Sequence, residues 1–316
     1  MSSTPMLETY VKSITHEAEG IVSVELRPVI LADLPAFEAG AHIDLHLTPA
    51  LSRSYSLSNP QHERHRYVVT VAKDECSRGG SRLIHETLRV GQKLEISAPR
   101  NNFRMADDAS HSVFIAGGIG ITPILSMIHR LTAEGRSWEL HYASRTARQA
   151  AFIENFADAA NCHLCFTRDE GGRRLDLAAI IGSSAGKAHF YCCGPVSMLE
   201  AFRGATASLP SENVHFEYFS GIEPPVASEG YTVELARSKR SVVIPPGKTI
   251  LDVLIALGMD VGHSCMEGVC GACETKVLEG RPDHHDLVLS EAERNSNATM
   301  MICCSGSATE RLVLDL

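Results

Sequence analysis

The sequence predicts a multidomain chain: an antiparallel β-barrel, an α/β domain with a parallel sheet, and a small strand–strand–helix–loop–strand unit. Three observations predict it. The first hundred or so residues hold short alternating segments such as "AHIDLHL", "HRYVVTVAKD" and "QKLEISAP", separated by Gly, Pro and Asn. That is the pattern of an antiparallel barrel or sandwich. The middle repeats apolar strands that end in Gly, Pro or polar residues, with helical periodicity between them, as βαβ units do. The last part packs three cysteines into the nine residues "CMEGVCGAC", 265–273.

The bulk properties agree. A chain of 316 residues exceeds one ordinary core and fits two or three domains. A formal net charge of −9 disfavours nucleic acid and anionic membrane as partners. "MSSTPMLETYVKS" lacks a basic stretch followed by an apolar one. The longest uncharged apolar run, 112–128, is broken by glycines and Pro123 and falls short of the ~20 residues of a membrane span. The expectation is a cytoplasmic protein, with nothing demanding more than a monomer. In a reducing compartment its ten cysteines point to metal binding rather than disulfides.

In the barrel, "RSYSLSNP", 53–60, offers a guanidinium, a flat phenol and small hydroxyl donors. "RGGSRLIHETL", 78–88, puts glycines and Arg82 ahead of a helix predicted over 83–88, an arrangement that suits an anion. Together the two stretches imply a cofactor that carries phosphate.

The middle domain opens with "SVFIAGGIGITPILSMIHRL": strand, Gly-rich turn, helix. It is not the G-x-G-x-x-G fingerprint, but it presents backbone amides in the same way. "WELHYASR", "CHLCFTRDE" and "AHFYCCGP" supply further strands, and "RQAAFIENFAD" and "VSMLEAFRG" read as helices. Polar and Gly/Pro residues at the strand C-termini make a nucleotide crevice. Cys162 and Cys165 form C-x2-C inside a strand and are read as core.

The cysteine cluster spaces Cys265, Cys270 and Cys273 as C-x4-C-x2-C, with Cys303 or Cys304 downstream. This is the plant-type [2Fe–2S] spacing, whereas zinc sites use paired knuckles. Gly262, Gly268 and Gly271 let backbone N–H groups approach the sulfurs. Around the cluster lie two strands, a "PPGK" turn, a helix over 249–257, and strands at "CETKVLEG" and "RLVLDL". The loop 266–269, carrying Glu267, is expected to be exposed. "RPDHHD", with His284 and His285, is read as a solvated loop.

These motifs resemble the phthalate dioxygenase reductase and vanillate O-demethylase reductase family, within the ferredoxin-NADP reductase superfamily, over essentially the whole chain. "RSYSLSNP" resembles the superfamily's flavin motif, "GGSR" the family's FMN-phosphate loop, and "PRNNF" the segment that closes its flavin domain. "GGIGITP" and "CCGP" resemble its two pyridine-nucleotide motifs, and "HFEYFSG" the end of its nucleotide domain. Residues 231–316 resemble a β-grasp ferredoxin domain, whose last cysteine gap matches the 29 residues before Cys303.

The resemblance implies that Arg53, Ser54, Tyr55 and Ser56 hold a flavin and that Gly80, Ser81 and Arg82 hold its phosphate. FMN rather than FAD fits that loop. It implies that Gly117, Gly118, Gly120, Ile121, Thr122 and Pro123 meet the dinucleotide. Ser144 and Arg145 fall at its adenosine ribose, and Cys193, Gly194 and Pro195 near nicotinamide. Ser56, Cys193 and Phe219 would surround the nicotinamide–flavin contact. Cys265, Cys270, Cys273 and Cys303 would ligate the cluster. NADH is favoured, although Arg145 could read a 2′-phosphate. The implied boundaries are 1–104 for the FMN barrel, 105–220 for the NAD domain, 221–230 for a linker and 231–316 for the ferredoxin domain. The implied function is the reductase component of a two-component system. It would pass electrons from NADH through FMN and [2Fe–2S] to a Rieske-type terminal oxygenase acting on an aromatic or similar substrate. The alternative is a stand-alone flavin reductase or diaphorase.

Overall fold

The computed structural model describes residues 6–316, apart from 31, 50, 75–78, 157–158, 170, 185–187, 220–229 and 264. The expected linker, except Gly230, and Arg78 lie outside the described residues. The chain divides into two compact units, Met1–Phe219 and Ser220–Leu316.

The first unit begins with six strands: β1 (Met6–Ala18), β2 (Ile21–Pro28), β3 (His42–Thr48), β4 (Leu51–Ser56), β5 (Tyr67–Ala72) and β6 (Lys93–Ser97). They form one antiparallel sheet in the order β4-β3-β6-β1-β2-β5. A bridge between Leu57 and Val69 joins its two ends and closes the barrel. Alternation decides the inside. Ile43, Leu45 and Leu47 of β3 enter a core with Val11, Leu26 and Val69. Helix α1 (Gly80–Glu86) adds Ile84 to that core. It begins three residues before the predicted start at 83, because Gly79 at φ 100 turns the chain there.

Five parallel strands follow: β7 (His111–Gly117), β8 (Ser137–Ser144), β9 (Cys162–Phe166), β10 (Ala188–Cys193) and β11 (Val214–Glu217). Their order is β11-β10-β7-β8-β9, with α2 (Ile121–Glu134), α3 (Leu177–Ser183) and α4 (Val196–Thr206) between them. Residues 112–117 of the central strand β7 are all buried, as a strand covered on both faces requires. Helix α2 packs Ile124, Met127 and Leu131 against Phe114, Leu140 and Tyr191. "RQAAFIENFAD" is not an α-helix. It makes two 3-10 turns, Ala147–Gln149 and Ile153–Asn155, hinged at Phe152 with φ 61. Ala150, Ala151 and Phe156 enter the same core as Tyr142, and the backbone follows that packing rather than helical register.

Barrel and parallel sheet share one core, in which Ala18, Ile21 and Ala39 join Met127 and Tyr191. Ser126 Oγ donates to the Asn59 carbonyl at 3.1 Å. Gly40, at φ +93, sits where a Cβ would lie 2.1 Å from the Phe103 carbonyl oxygen.

The second unit contains β12 (Tyr231–Leu235), β13 (Arg240–Ile244), α5 (Ile250–Ala256), β14 (Glu274–Glu279), β15 (Pro282–Asp283), α6 (Glu291–Ser296), β16 (Thr299–Met301), β17 (Gly306–Ser307) and β18 (Arg311–Leu314). Its main sheet runs β13-β12-β18-β14-β16, with β12 and β18 parallel, and β15 pairs with β17. The helix expected over 249–257 is α5, with Thr249 and Leu257 as its caps. Thr249 and Asp252 form a reciprocal capping box. Ile250, Leu251 and Leu254 pack onto Val233, Leu235 and Leu312.

Gly40→Ala combines left-handed strain with a backbone collision. It is expected to destabilise the first unit by roughly 2–4 kcal/mol. Gly20→Ala, at φ +72 with open space around it, should cost only about 1–2 kcal/mol. Urea denaturation followed by fluorescence of Trp138, the single tryptophan, measures both. Equal losses would show that the Phe103 contact does not matter.

Candidate functional site

Strand β4 pairs Ser56 with His42 and Ser54 with Asp44. Ser54 Oγ donates to Asp44 Oδ1 at 2.7 Å, and Arg100 Nη2 reaches Asp44 Oδ2 at 2.7 Å. Alternation then gives Arg53 and Tyr55 the opposite face. Burial pushes the Tyr55 phenol up to about 12. A Cβ on Gly80 would lie 2.6 Å from Arg53 Cγ, so the arginine stem crosses the first turn of α1. The structure thus brings "RSYS" and "GGSR" together. Ser81 Oγ accepts from the Asp74 amide at 3.2 Å, and Arg82 is exposed. A guanidinium over a turn that is open for lack of a Cβ suits a phosphate-bearing flavin. His42 was not singled out from the sequence. It is buried, and neither ring nitrogen has a hydrogen-bond partner among the described residues. Burial, then Arg100, lowers its pKa to about 4, which keeps the ring neutral.

The two glycine motifs of the parallel sheet interlock. A Cβ on Gly117 would lie 2.6 Å from Pro195 Cδ, one on Gly120 2.2 Å from the Cys193 carbonyl oxygen, and one on Gly194 2.9 Å from Met198 Sδ. Gly118, at φ +54, has nothing within 4 Å and faces open space. Ile121, Thr122 and Pro123 are buried in the first turn of α2, and Thr122 Oγ1 donates to the Ile119 carbonyl at 3.1 Å. Their side chains therefore belong to the core. Ser144 is buried at the end of β8, and Arg145 is exposed. A cleft of about 180 Å³ lies at these strand ends, lined by Ala143, Thr167, Arg174, Pro195, Ser197 and Met198. Arg174 carried no sequence signal, because it comes from a loop with no motif.

Cys193 is fully buried and stands in register with Glu217 on β11. Glu217 is half-buried overall, but solvent does not reach its Oε2, which has no hydrogen-bond partner among the described residues. Burial pushes this carboxyl up to about 8. Burial, and then Glu217, holds the Cys193 thiol well above its ordinary value. Glu217 was missed as a functional group because an acid in a short alternating strand gives no sign of burial. Phe219 is 36% exposed, so it is not a core residue.

In the second unit Cys265, Cys270, Cys273 and Cys303 are buried with their thiols in mutual contact, Cys265 with Cys270 and Cys303, and Cys273 with Cys303. Backbone N–H groups of Cys265, Glu267 and Gly268 donate to the sulfurs of Cys270, Cys265 and Cys303 at 3.5, 3.4 and 3.2 Å. The Cys265 thiol, then burial, raises Cys270; the Cys303 thiol, then burial, raises Cys273. Such crowded thiols lose their protons readily only to metal, and the donor set suits a [2Fe–2S] cluster. Cys304 Sγ instead faces the Met301 carbonyl at 3.8 Å and Ser305 Oγ at 3.9 Å.

Two of three further sequence expectations fail in the structure. The loop 266–269 is not exposed: Gly268 is buried and its neighbours are half-buried, because their N–H groups turn inward to sulfur. His284 is not solvated, with a side chain only 9% exposed beside a fully buried Asp286 side chain. Cys162 and Cys165 do behave as core: three apart on β9, they point to opposite faces, and Cys162 packs on the main core.

Comparison with known proteins accords with this geometry. The 2Fe-2S iron-sulfur cluster binding domain family matches residues 233–306, and the oxidoreductase NAD-binding domain family matches 114–204. These define the class: an NAD(P)H-dependent iron–sulfur oxidoreductase. Among relatives, the phenoxybenzoate dioxygenase subunit beta of Ectopseudomonas oleovorans is 50% identical over 97% of this chain and 96% of its own. The tetrachlorobenzoquinone reductase of Sphingobium chlorophenolicum is 50% identical over 98% of each. Among solved structures, phthalate dioxygenase reductase, described as a modular structure for electron transfer from pyridine nucleotides to [2Fe–2S], matches with TM-score 0.78 and 36% identity over 98% of both chains. An intact type IV self-sufficient cytochrome P450 monooxygenase matches with TM-score 0.85 and 37% identity. The match takes in 98% of this chain but only 41% of that longer one. The chain belongs to the phthalate dioxygenase reductase family. Among the described residues, no helix is long and apolar enough to cross a membrane.

Two predictions follow from the buried groups. Glu217 keeps its proton in the fold up to about pH 8, whereas the unfolded chain releases it near 4.5. Its contribution to stability is therefore full below about pH 4.5 and lost as pH rises through about 8. Glu217→Gln should flatten that fall, measured by denaturation of nucleotide-free protein at several pH values; an unchanged slope would show that Glu217 is ionised. Cys303→Ser should abolish the iron–sulfur absorbance and labile sulfide, while Cys304→Ser retains both. The reverse result would make Cys304 the ligand.

Proposed function

We propose that this protein is the NADH-dependent reductase of a two-component oxygenase system, delivering electrons through FMN and a [2Fe–2S] cluster to a Rieske-type terminal oxygenase. The observation that carries the reading is the convergence of Cys265, Cys270, Cys273 and Cys303 with amides aimed at sulfur, on a chain that also carries the interlocked glycine crevice. The flavin supplies the conversion of a two-electron donor into single electrons. The chain's own residues bind and orient. Arg53, Ser54, Tyr55 and Ser56 hold the flavin, and Gly80, Ser81 and Arg82 its phosphate. Gly118 leaves the open approach for the dinucleotide at the strand ends, with Ser144, Arg145 and Arg174 toward its adenosine end. Cys193, Gly194 and Pro195 border the nicotinamide. Buried Cys193 and the protonated carboxyl of Glu217 add no charge there. Ser56 and Phe219 complete that pocket. No general base or nucleophile is needed. The net charge of −9 suits a soluble, cytoplasmic monomer whose partner brings basic surface.

A second reading has one observation in its favour: a relative 50% identical is named tetrachlorobenzoquinone reductase. In that case the flavin would reduce a small acceptor directly and the cluster would be a side branch.

An anaerobic visible spectrum before and after NADH tests the first reading, with flavin and iron–sulfur bands expected to bleach together. Flavin bands without labile sulfide, even after reconstitution, would sink it. Cys270→Ser separates the two readings. Transfer to an iron–sulfur oxygenase should fall at least about 100-fold while NADH oxidation by a quinone persists. A wild-type protein that reduces quinones and supports no oxygenase would favour the second.

A further inference from the structure

The segment "RPDHHD" packs directly behind the thiol loop. Asp286 is 1% exposed. Its Oδ1 accepts from the amides of Val288 at 3.0 Å and Leu289 at 2.8 Å. Its Oδ2 is buried with no hydrogen-bond partner among the described residues; His284 Nδ1 lies 3.5 Å away, outside hydrogen-bonding geometry. From α6, Arg294 Nη2 donates to the Asp286 carbonyl, and the guanidinium stands 3.9 Å from Oδ1.

Gly268 joins this turn to sulfur. Its carbonyl accepts from the Leu287 amide at 2.8 Å, and its own amide donates to Cys303 Sγ at 3.2 Å. A Cβ on Gly268 would lie 3.1 Å from Asp286 Cα and 2.4 Å from Cys304 Sγ. The Asp286 turn therefore fixes the Leu287 amide, which fixes the Gly268 backbone, which aims an N–H at a thiol.

We propose that Asp286 and Arg294 are positioning residues that set the reduction potential of the cluster through this latch. The proposal rests on the reading of Cys303 as a ligand. Its physics has two parts. Hydrogen bonds to cluster sulfur stabilise the reduced form, which carries one more negative charge. Fixed charges in a buried setting act on the same added electron with little screening: a carboxylate opposes it and a guanidinium favours it. The latch thus holds two charges of opposite effect against one loop. A carboxylate so buried serves packing poorly, since an apolar residue would fill the space without desolvation. Holding the turn and tuning the loop is the use left to it.

The test is a redox titration of the holoprotein followed by EPR of the reduced cluster. Asp286→Asn keeps an oxygen for the Val288 and Leu289 amides and removes the charge. The reduced-to-oxidised ratio at fixed ambient potential should rise on the order of tenfold. Arg294→Gln should lower that ratio. Shifts of opposite sign cannot come from a merely structural role, which would loosen the loop in both. Both variants at the wild-type midpoint, or both shifted the same way with full cluster content, would overturn the proposal. Should Asp286→Asn fail to hold a cluster, Arg294→Gln alone decides: a fall supports the latch, and a rise or no change overturns it. Cys303→Ser and Cys304→Ser, assayed for cluster content alongside, separate the two levels. Loss in Cys303→Ser only, with unchanged midpoints in the charge variants, removes the latch and leaves the ligand reading standing. Loss in Cys304→Ser only removes both.

Discussion

A missing side chain at Gly120 lets the ends of the parallel strands meet. A methyl group there would lie 2.2 Å from the Cys193 carbonyl oxygen, a distance no real contact reaches. Gly117 and Gly194 repeat the condition against Pro195 and Met198. Two strand-to-helix turns therefore touch backbone to backbone, and everything beside them inherits its position. Cys193 is buried below this closed turn, and its register partner on β11, half-buried Glu217, has its Oε2 shut off from solvent. Only Gly118 is left facing open space, so the crevice has one approach at this point.

The two units treat titratable groups differently, and the difference follows from the chemistry each supports. In the first, desolvation keeps groups neutral: His42 is lowered to about 4 and Glu217 raised to about 8. Groups held neutral in this way suit transfer of hydride, which carries its electrons with its proton and needs no charged partner. In the second, four thiols are crowded into mutual contact, and backbone amides are turned toward sulfur. Met266 at φ 59, Gly268 at φ 70 and Gly271 at φ 75 bend the loop enough to do this. The strain of a non-glycine residue in the left-handed region is tolerated because Met266 also packs on the core.

What could be read from the sequence was what is local. Cysteine spacing is a one-dimensional record of a ligand loop, so Cys265, Cys270 and Cys273 were legible as a set. The choice between Cys303 and Cys304 was harder, since adjacent residues differ only in which way the turn faces them. Strand β7 was legible because burial on both faces leaves an unbroken apolar run. The misreadings share one cause. "RQAAFIENFAD" has helical periodicity, but Ala150, Ala151 and Phe156 pack where the core needs them. "RPDHHD" looks like solvated charge, yet Asp286 is held in a turn that packs against Gly268. Glu217 and His42 carry no periodic signal at all. In each case tertiary packing decided burial, and a polar residue does not announce that it will be buried.

This arrangement also constrains where acceptor choice can reside. An electron makes no bond with the group that receives it, so nothing in the thiol nest needs to recognise the acceptor. On the reading that the cluster hands on the electrons, selection falls to side chains around the thiols that solvent still reaches. Met266, Glu267 and Val269 are half-buried on the loop that wraps the sulfurs, and Glu267 is the acidic one among them. The Glu267 and Val269 amides face the Cys265 sulfur, while the side chains of the loop remain partly open to solvent. A side-chain change on this loop would leave the backbone N–H groups at sulfur where they are and so leave the interior intact.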